Sequence, residues 1–138
     1  MNPNPTNAPH VDLTEQLIGF AMRVHREHGP GLDEKSYENS MCIEMAENGI
    51  AFTQQQAFPV HYRGHVVSRL ITDLIVDDRV VLENKVTSSI HETHIAQVLS
   101  YLAVTNLEVG LILNFGRPSL EMRRVINQRR RHDSRQSH

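Results

Sequence analysis

The chain has 138 residues, a formal net charge of −2 and a single cysteine. A domain of this size buries roughly two thirds of its unfolded surface and needs no covalent staples. One cysteine excludes an internal disulfide framework and a cysteine-rich zinc site, and Cys42 reads as a small core residue. No run of about 18 apolar residues is present, so no membrane span is expected. The opening MNPNPTNAPH has no basic stretch followed by an apolar one, which argues against a signal peptide and for the cytoplasm.

Residues 1–11, rich in Pro and Asn, read as a disordered lead-in. From 12 to 28, Leu13, Leu17, Phe20, Ala21 and Val24 recur at helical spacing, with Asp12 available as a cap. His28-Gly29-Pro30-Gly31 ends this helix. A second helix is predicted from about Asp33 to Asn48, stopped by Gly49, with Tyr37, Met41 and Met45 facing inward and Glu34 one turn earlier on the same stripe. Three strands should follow: Phe52 to Tyr62, interrupted near Pro59; His65 to Val76 after an Arg63-Gly64 turn; and Val80 to Val86. Ser89-x-x-Glu92 has the form of a capping box opening a third helix that runs to about Thr105. Val109 to Phe115 is apolar enough for a strand buried on both faces. Leu120 to Ile126 fits either an edge strand or a short helix.

The order α-α-β-β-β-α-β predicts one α/β domain over residues 12–126, with a mixed four-stranded sheet flanked by helices. Residues 127–138 read as a basic disordered tail. Residues 123–138 hold six arginines against one acid, which leaves eight basic and fifteen acidic residues on the body. Arg129, Arg130 and Arg131 are thus candidate contacts to nucleic-acid phosphates, or else part of a solvated tail.

Two apolar strands carry the chemistry. In Val80-Val81-Leu82-Glu83-Asn84-Lys85-Val86, alternation puts Glu83 and Lys85 on one face. In the preceding strand, Asp73 sits within Leu70-Ile71-Thr72-Asp73-Leu74-Ile75-Val76. If Asp77-Asp78-Arg79 forms a three-residue loop, Val76 pairs with Val80 and Asp73 falls opposite Glu83, on the same face. A two-residue loop would put Asp73 on the other face. Two facing carboxylates repel unless a cation lies between them, and oxygen ligands with open water positions suit Mg²⁺ or Mn²⁺. Lys85 can then orient or deprotonate a water, or neutralise charge developing on a phosphate. Asn84, on the opposite face, needs hydrogen-bond partners in the core.

Asp73 and, ten residues on, Glu83-x-Lys85 resemble the PD-(D/E)xK nuclease superfamily. Gly31-Leu32-Asp33-Glu34-Lys35-Ser36-Tyr37 resembles the G-x-x-E-x-x-Y motif of a compact bacterial group within it. His94-Ile95-Ala96-Gln97-Val98-Leu99-Ser100-Tyr101 is similar to that group's H-x-x-Q-x-x-x-Y helix and to the Q-x-x-x-Y of RecB-like nucleases. The resemblance implies a restriction-endonuclease-like core and a metal-dependent nuclease that hydrolyses DNA by a metal-activated water. It implies that Asp73, Glu83 and Glu34 bind metal and that Lys85 and Gln97 join Asp73 and Glu83 in catalysis. Tyr37, His94 and Tyr101 would border the site. Ile71 stands two residues before Asp73, where a basic side chain would be expected to contact phosphate.

Two other readings follow from the same residues. The acidic body and Asn84 suit an inactive nuclease-fold module that binds nucleic acid or a protein partner. The amphipathic first helix offers a surface for a homodimer. His91-Glu92-Thr93-His94 is not the H-E-x-x-H of zinc proteases, and His91 is predicted on the buried side of its helix.

Overall fold

The apolar run Val109–Asn114 can be stable as a strand only if both its faces and both its edges are covered. The computed structural model, which describes residues 8–127, supplies that cover. Three helices and five strands follow in the order α1 Val11–His28, α2 Glu34–Glu47, β1 Phe52–Tyr62, β2 His65–Val76, β3 Val80–Lys85, α3 Glu92–Thr105, β4 Val109–Asn114 and β5 Glu121–Ile126. The sheet runs in the order β1-β2-β3-β4-β5. The β3–β4 pair is parallel, with α3 as its crossover, and the other pairs are antiparallel.

The sheet therefore has five strands, not the expected four. Residues 121–126 settle as β5 because the outer edge of buried β4 would otherwise leave its backbone groups unpaired. This also moves two arginines out of the expected tail count. Arg123 and Arg124 lie in β5, and Arg124 donates to Thr14 and is ion-paired with Glu15.

One face of the sheet packs on α1 and α2. There Leu13, Leu17, Phe20, Ala21, Tyr37, Met41 and Met45 meet Leu74, Leu82, Leu111, Leu113 and Phe115. The other face packs on α3, through Val81, Val98, Tyr101, Leu102 and Ile112. Gly110 sits beneath α3 because a Cβ there would lie 2.4 Å from the Val98 side chain. Cys42 is half-buried against the first cluster, and burial pushes its thiol up to about 11, which suits packing rather than nucleophilic chemistry.

Several local expectations shift by a residue or two. The N-cap of α1 is His10, not Asp12, and Asp12 instead pairs with Arg79 at 2.8 Å. Asp33 caps α2 by accepting from the Ser36 amide. The Ser89 capping box does not form. His91 caps α3 and trades hydrogen bonds with His94, so His91 is exposed rather than buried. β1 continues through Pro59, which its position on the sheet edge allows, and a register shift follows at Val60/His61. The Arg63-Gly64 turn has φ of 50° and 81°, the tight form that matches strand twist. Among the described residues, no helix is long and apolar enough to cross a membrane.

Candidate functional site

The register that brings Asp73 to Glu83 depends on the loop between β2 and β3. That loop is Asp77-Asp78-Arg79, and Val76 pairs with Val80, Ile75 with Val81 and Leu74 with Leu82. Asp77 and Asp78 take φ of 53° and 54°, a left-handed conformation that short polar side chains tolerate. The Arg79 amide closes the turn onto the Val76 carbonyl at 2.9 Å. One step further along this register, Asp73 stands beside Glu83. There the ladder gives way to a side chain: the Asn84 backbone N–H donates to the Asp73 carboxylate.

Glu83 lies on the α3 side of the sheet and is 3% exposed. Its Oε2 lies 3.6 Å from Lys85 Nζ, while its Oε1 is buried with no hydrogen-bond partner. Burial, and then the nearby Asp73 charge, push its carboxyl up to about 8, although Lys85 opposes this. Asp73 is also raised, first by burial, then by Glu38, with Glu34 adding less. Burial, then the Glu83 and Asp73 charges, hold the Tyr101 hydroxyl up at about 12. Lys85 Nζ donates to Gln97 Oε1 at 3.0 Å, so α3 fixes the direction of the ammonium.

Glu34, Asp73, Glu83, Lys85, Gln97 and Tyr101 therefore belong to one electrostatic cluster at the carboxyl end of β3. Glu34 enters it from the exposed first turn of α2, not from the buried stripe on which it was expected. The acid buried on α2 is Glu38, which accepts from Lys35 and from the amides of Gln54 and Gln55. Glu38 was not anticipated, although Glu34, Glu38, Met41 and Met45 share one helical face. Gln55 falls opposite Asp73, between the pairs Gln54↔Leu74 and Gln56↔Thr72, and has φ 56°. Its bonds to Glu38 hold this strained residue beside Asp73.

Two residues expected to border the site serve it indirectly. Tyr37 is wholly buried and stacks on Phe115 with ring centroids 4.5 Å apart. Its hydroxyl donates to the Gly29 carbonyl and accepts from the Leu32 amide, latching the loop that delivers Glu34. His94 accepts the His91 amide through Nδ1 at 3.0 Å. Burial and the Lys85 charge hold its imidazole below the usual range.

The loop after Lys85 is held by a residue the sequence did not single out. Asn114 Oδ1 accepts from the Thr87 and Gly116 amides, and its Nδ2 donates to Thr87 O and Glu121. Gly116 is required there, because a Cβ would lie 2.6 Å from the Thr87 nitrogen. The Asn84 side chain points into the α1/α2 face, fully buried, with neither its Oδ1 nor its Nδ2 partnered. Arg129, Arg130 and Arg131 lie outside the described residues.

The donor set consists of carboxylates, with one buried oxygen left unpartnered. Hard divalent cations fit such a set, and zinc, which favours His and Cys, does not. Among the described residues, no group of three or more His, Cys, Asp or Glu side chains forms a metal cage. Mg²⁺ needs only one or two carboxylates, the rest of its shell being water and substrate oxygens.

The PD-(D/E)XK nuclease superfamily model matches residues 11–125, and the chain belongs to that superfamily. No curated protein matches it significantly.

Proposed function

We propose that this protein is a Mg²⁺- or Mn²⁺-dependent nuclease that hydrolyses phosphodiester bonds of DNA, of the G-x-x-E-x-x-Y group. The observation that carries the reading is Glu83: a buried carboxylate with one unpartnered oxygen, beside Asp73 and tied to Lys85. An acid in that position costs stability unless a cation or proton satisfies it. Asp73 and Glu83 would hold the metal, with the Glu34 charge on α2 nearby. Once bound, the metal would acidify water and neutralise phosphate charge.

The chain's own residues would do the rest. Lys85, aimed by Gln97, faces the negative charge that builds on the phosphate. Tyr101 and the α3 face keep bulk water from the buried side of the acids. The Tyr37 latch is consistent with the group assignment, because it ties the loop before α2 to the helix turn that carries Glu34.

The test is incubation of the full chain with supercoiled, linear and single-stranded DNA in Mg²⁺ or Mn²⁺. Cleavage by the wild type that is lost in Asp73→Ala is expected. Equal cutting by both would trace the activity to a contaminant. Salt-sensitive binding without cleavage under either metal would leave an inactive binding module.

A further inference from the structure

An acidic body is a poor surface for nucleic acid, and one segment breaks the pattern. From Asn48 to Thr72 the sequence has no Asp or Glu, in a chain with 16 of them. Its charged side chains are Arg63 and Arg69, and His61 and His65 add positive charge when protonated.

This segment contains β1 and most of β2, which run on as a two-stranded ribbon past Leu74↔Leu82, the last β2–β3 pair. Leu70 packs the base of the ribbon against the α3 cluster. Beyond that base every side chain but the half-buried Val60 is exposed, and the Arg63 guanidinium lies 5.3 Å over the ring of Tyr62, itself 61% exposed.

A bare ribbon with Val66, Val67 and Ile71 exposed invites pairing with another copy. Three features work against it: Pro59, the register shift at Val60/His61 and the left-handed Gln55 all interrupt a flat edge. Like charges on two ribbons would also repel. What remains is a twisted arm of one charge sign, rooted on the strand that carries Asp73.

We infer that the β1–β2 ribbon is a DNA-gripping arm that engages duplex DNA to one side of the Asp73–Glu83 site. The inference rests on the nuclease reading of that site. At about 3.3 Å per strand residue, Arg69 stands ~13 Å from Asp73, and Arg63, in the turn about eight residues along the ribbon, stands ~26 Å from it. Along a duplex these reaches correspond to roughly four and eight base pairs. A two-stranded ribbon fits the roughly 12 Å major groove of B-form DNA, whereas the groove of A-form RNA is too narrow. A surface without acids lets the two arginines act on phosphates uncancelled.

The test measures binding, so it is independent of cleavage. Full-length wild type, R63A/R69A, R63K/R69K and D73A are titrated against labelled 10- and 30-base-pair DNA duplexes across a salt series, without metal. For R63A/R69A, affinity for the 30-base-pair duplex should fall about tenfold or more, and the log–log salt slope should shrink by about two, one per arginine. The lysine variant should keep most of both, and D73A should keep the slope.

Unchanged affinity and slope in R63A/R69A would overturn the arm. So would equal or tighter binding of duplex RNA or single strands, or a wild-type dimer that the same substitutions dissociate in sedimentation. Arm-dependent binding with no cleavage under Mn²⁺ would support the arm and overturn only the nuclease reading.

Discussion

Glu83→Gln tests the central electrostatic claim without any substrate. In the folded chain the Glu83 carboxyl is held up at about 8, against 4.5 for an ordinary glutamate. Between those values the folded state keeps a proton that the unfolded state has released, so stability falls as pH rises. It is highest below about 4.5 and levels off above about 8. Each pH unit inside the window costs about 1.4 kcal/mol, so from pH 5 to pH 7.5 the wild type should lose about 3 kcal/mol to this one group. The glutamine has similar size and no proton to lose, so any packing cost it adds is the same at every pH. The assay is urea unfolding of both proteins in EDTA at pH 5, 6.5 and 8. The stability of Glu83→Gln relative to wild type should climb by about 3–3.5 kcal/mol across the series. Added Mn²⁺ at pH 8 should stabilise the wild type, by about 2.7 kcal/mol at a hundredfold excess over its Kd, and leave Glu83→Gln unmoved. Parallel pH profiles for the two proteins would refute the claim that Glu83 is buried beside Asp73 in an uncompensated state.

Two further predictions concern the core around the site. Tyr37→Phe removes a hydroxyl that bonds both Gly29 and Leu32 from a fully buried ring, and should cost about 1–3 kcal/mol in the same unfolding assay. Amide exchange at Leu32 should speed up with it, and unchanged exchange would show that the latch is not what holds the loop. Asn84→Leu replaces a buried amide lacking partners with an apolar side chain of similar size, and should stabilise the fold by about 1–3 kcal/mol. A loss of stability would show that the amide is satisfied in solution.

Much of the site was legible because strand geometry has a period of two. The three residues between Val76 and Val80 fix the register, and the register fixes which face Asp73 shares. No knowledge of the rest of the chain is needed for that step. The inward stripe of α2 and the buried character of β4 follow in the same way, from spacing and apolarity alone. Belonging to the PD-(D/E)XK superfamily was legible too, from the resemblance of Asp73 and Glu83-x-Lys85 to its motif, and the family match over residues 11–125 agrees.

What escaped the sequence depends on neighbours far away in the chain. Residues 121–126 became a strand because β4 had an open edge, a fact about β4 rather than about those residues. Tyr37 and His94 carry the right motif positions but spend their polar atoms on a loop and a helix cap. Glu38 is buried because Gln54 and Gln55 reach it from β1. Local pattern determined which side chains share a face with Glu83, since alternation is a property of one strand and its turn. Tertiary packing decided how dry that face is and which acids crowd it, and those two conditions shift the Glu83 carboxyl far from its ordinary value.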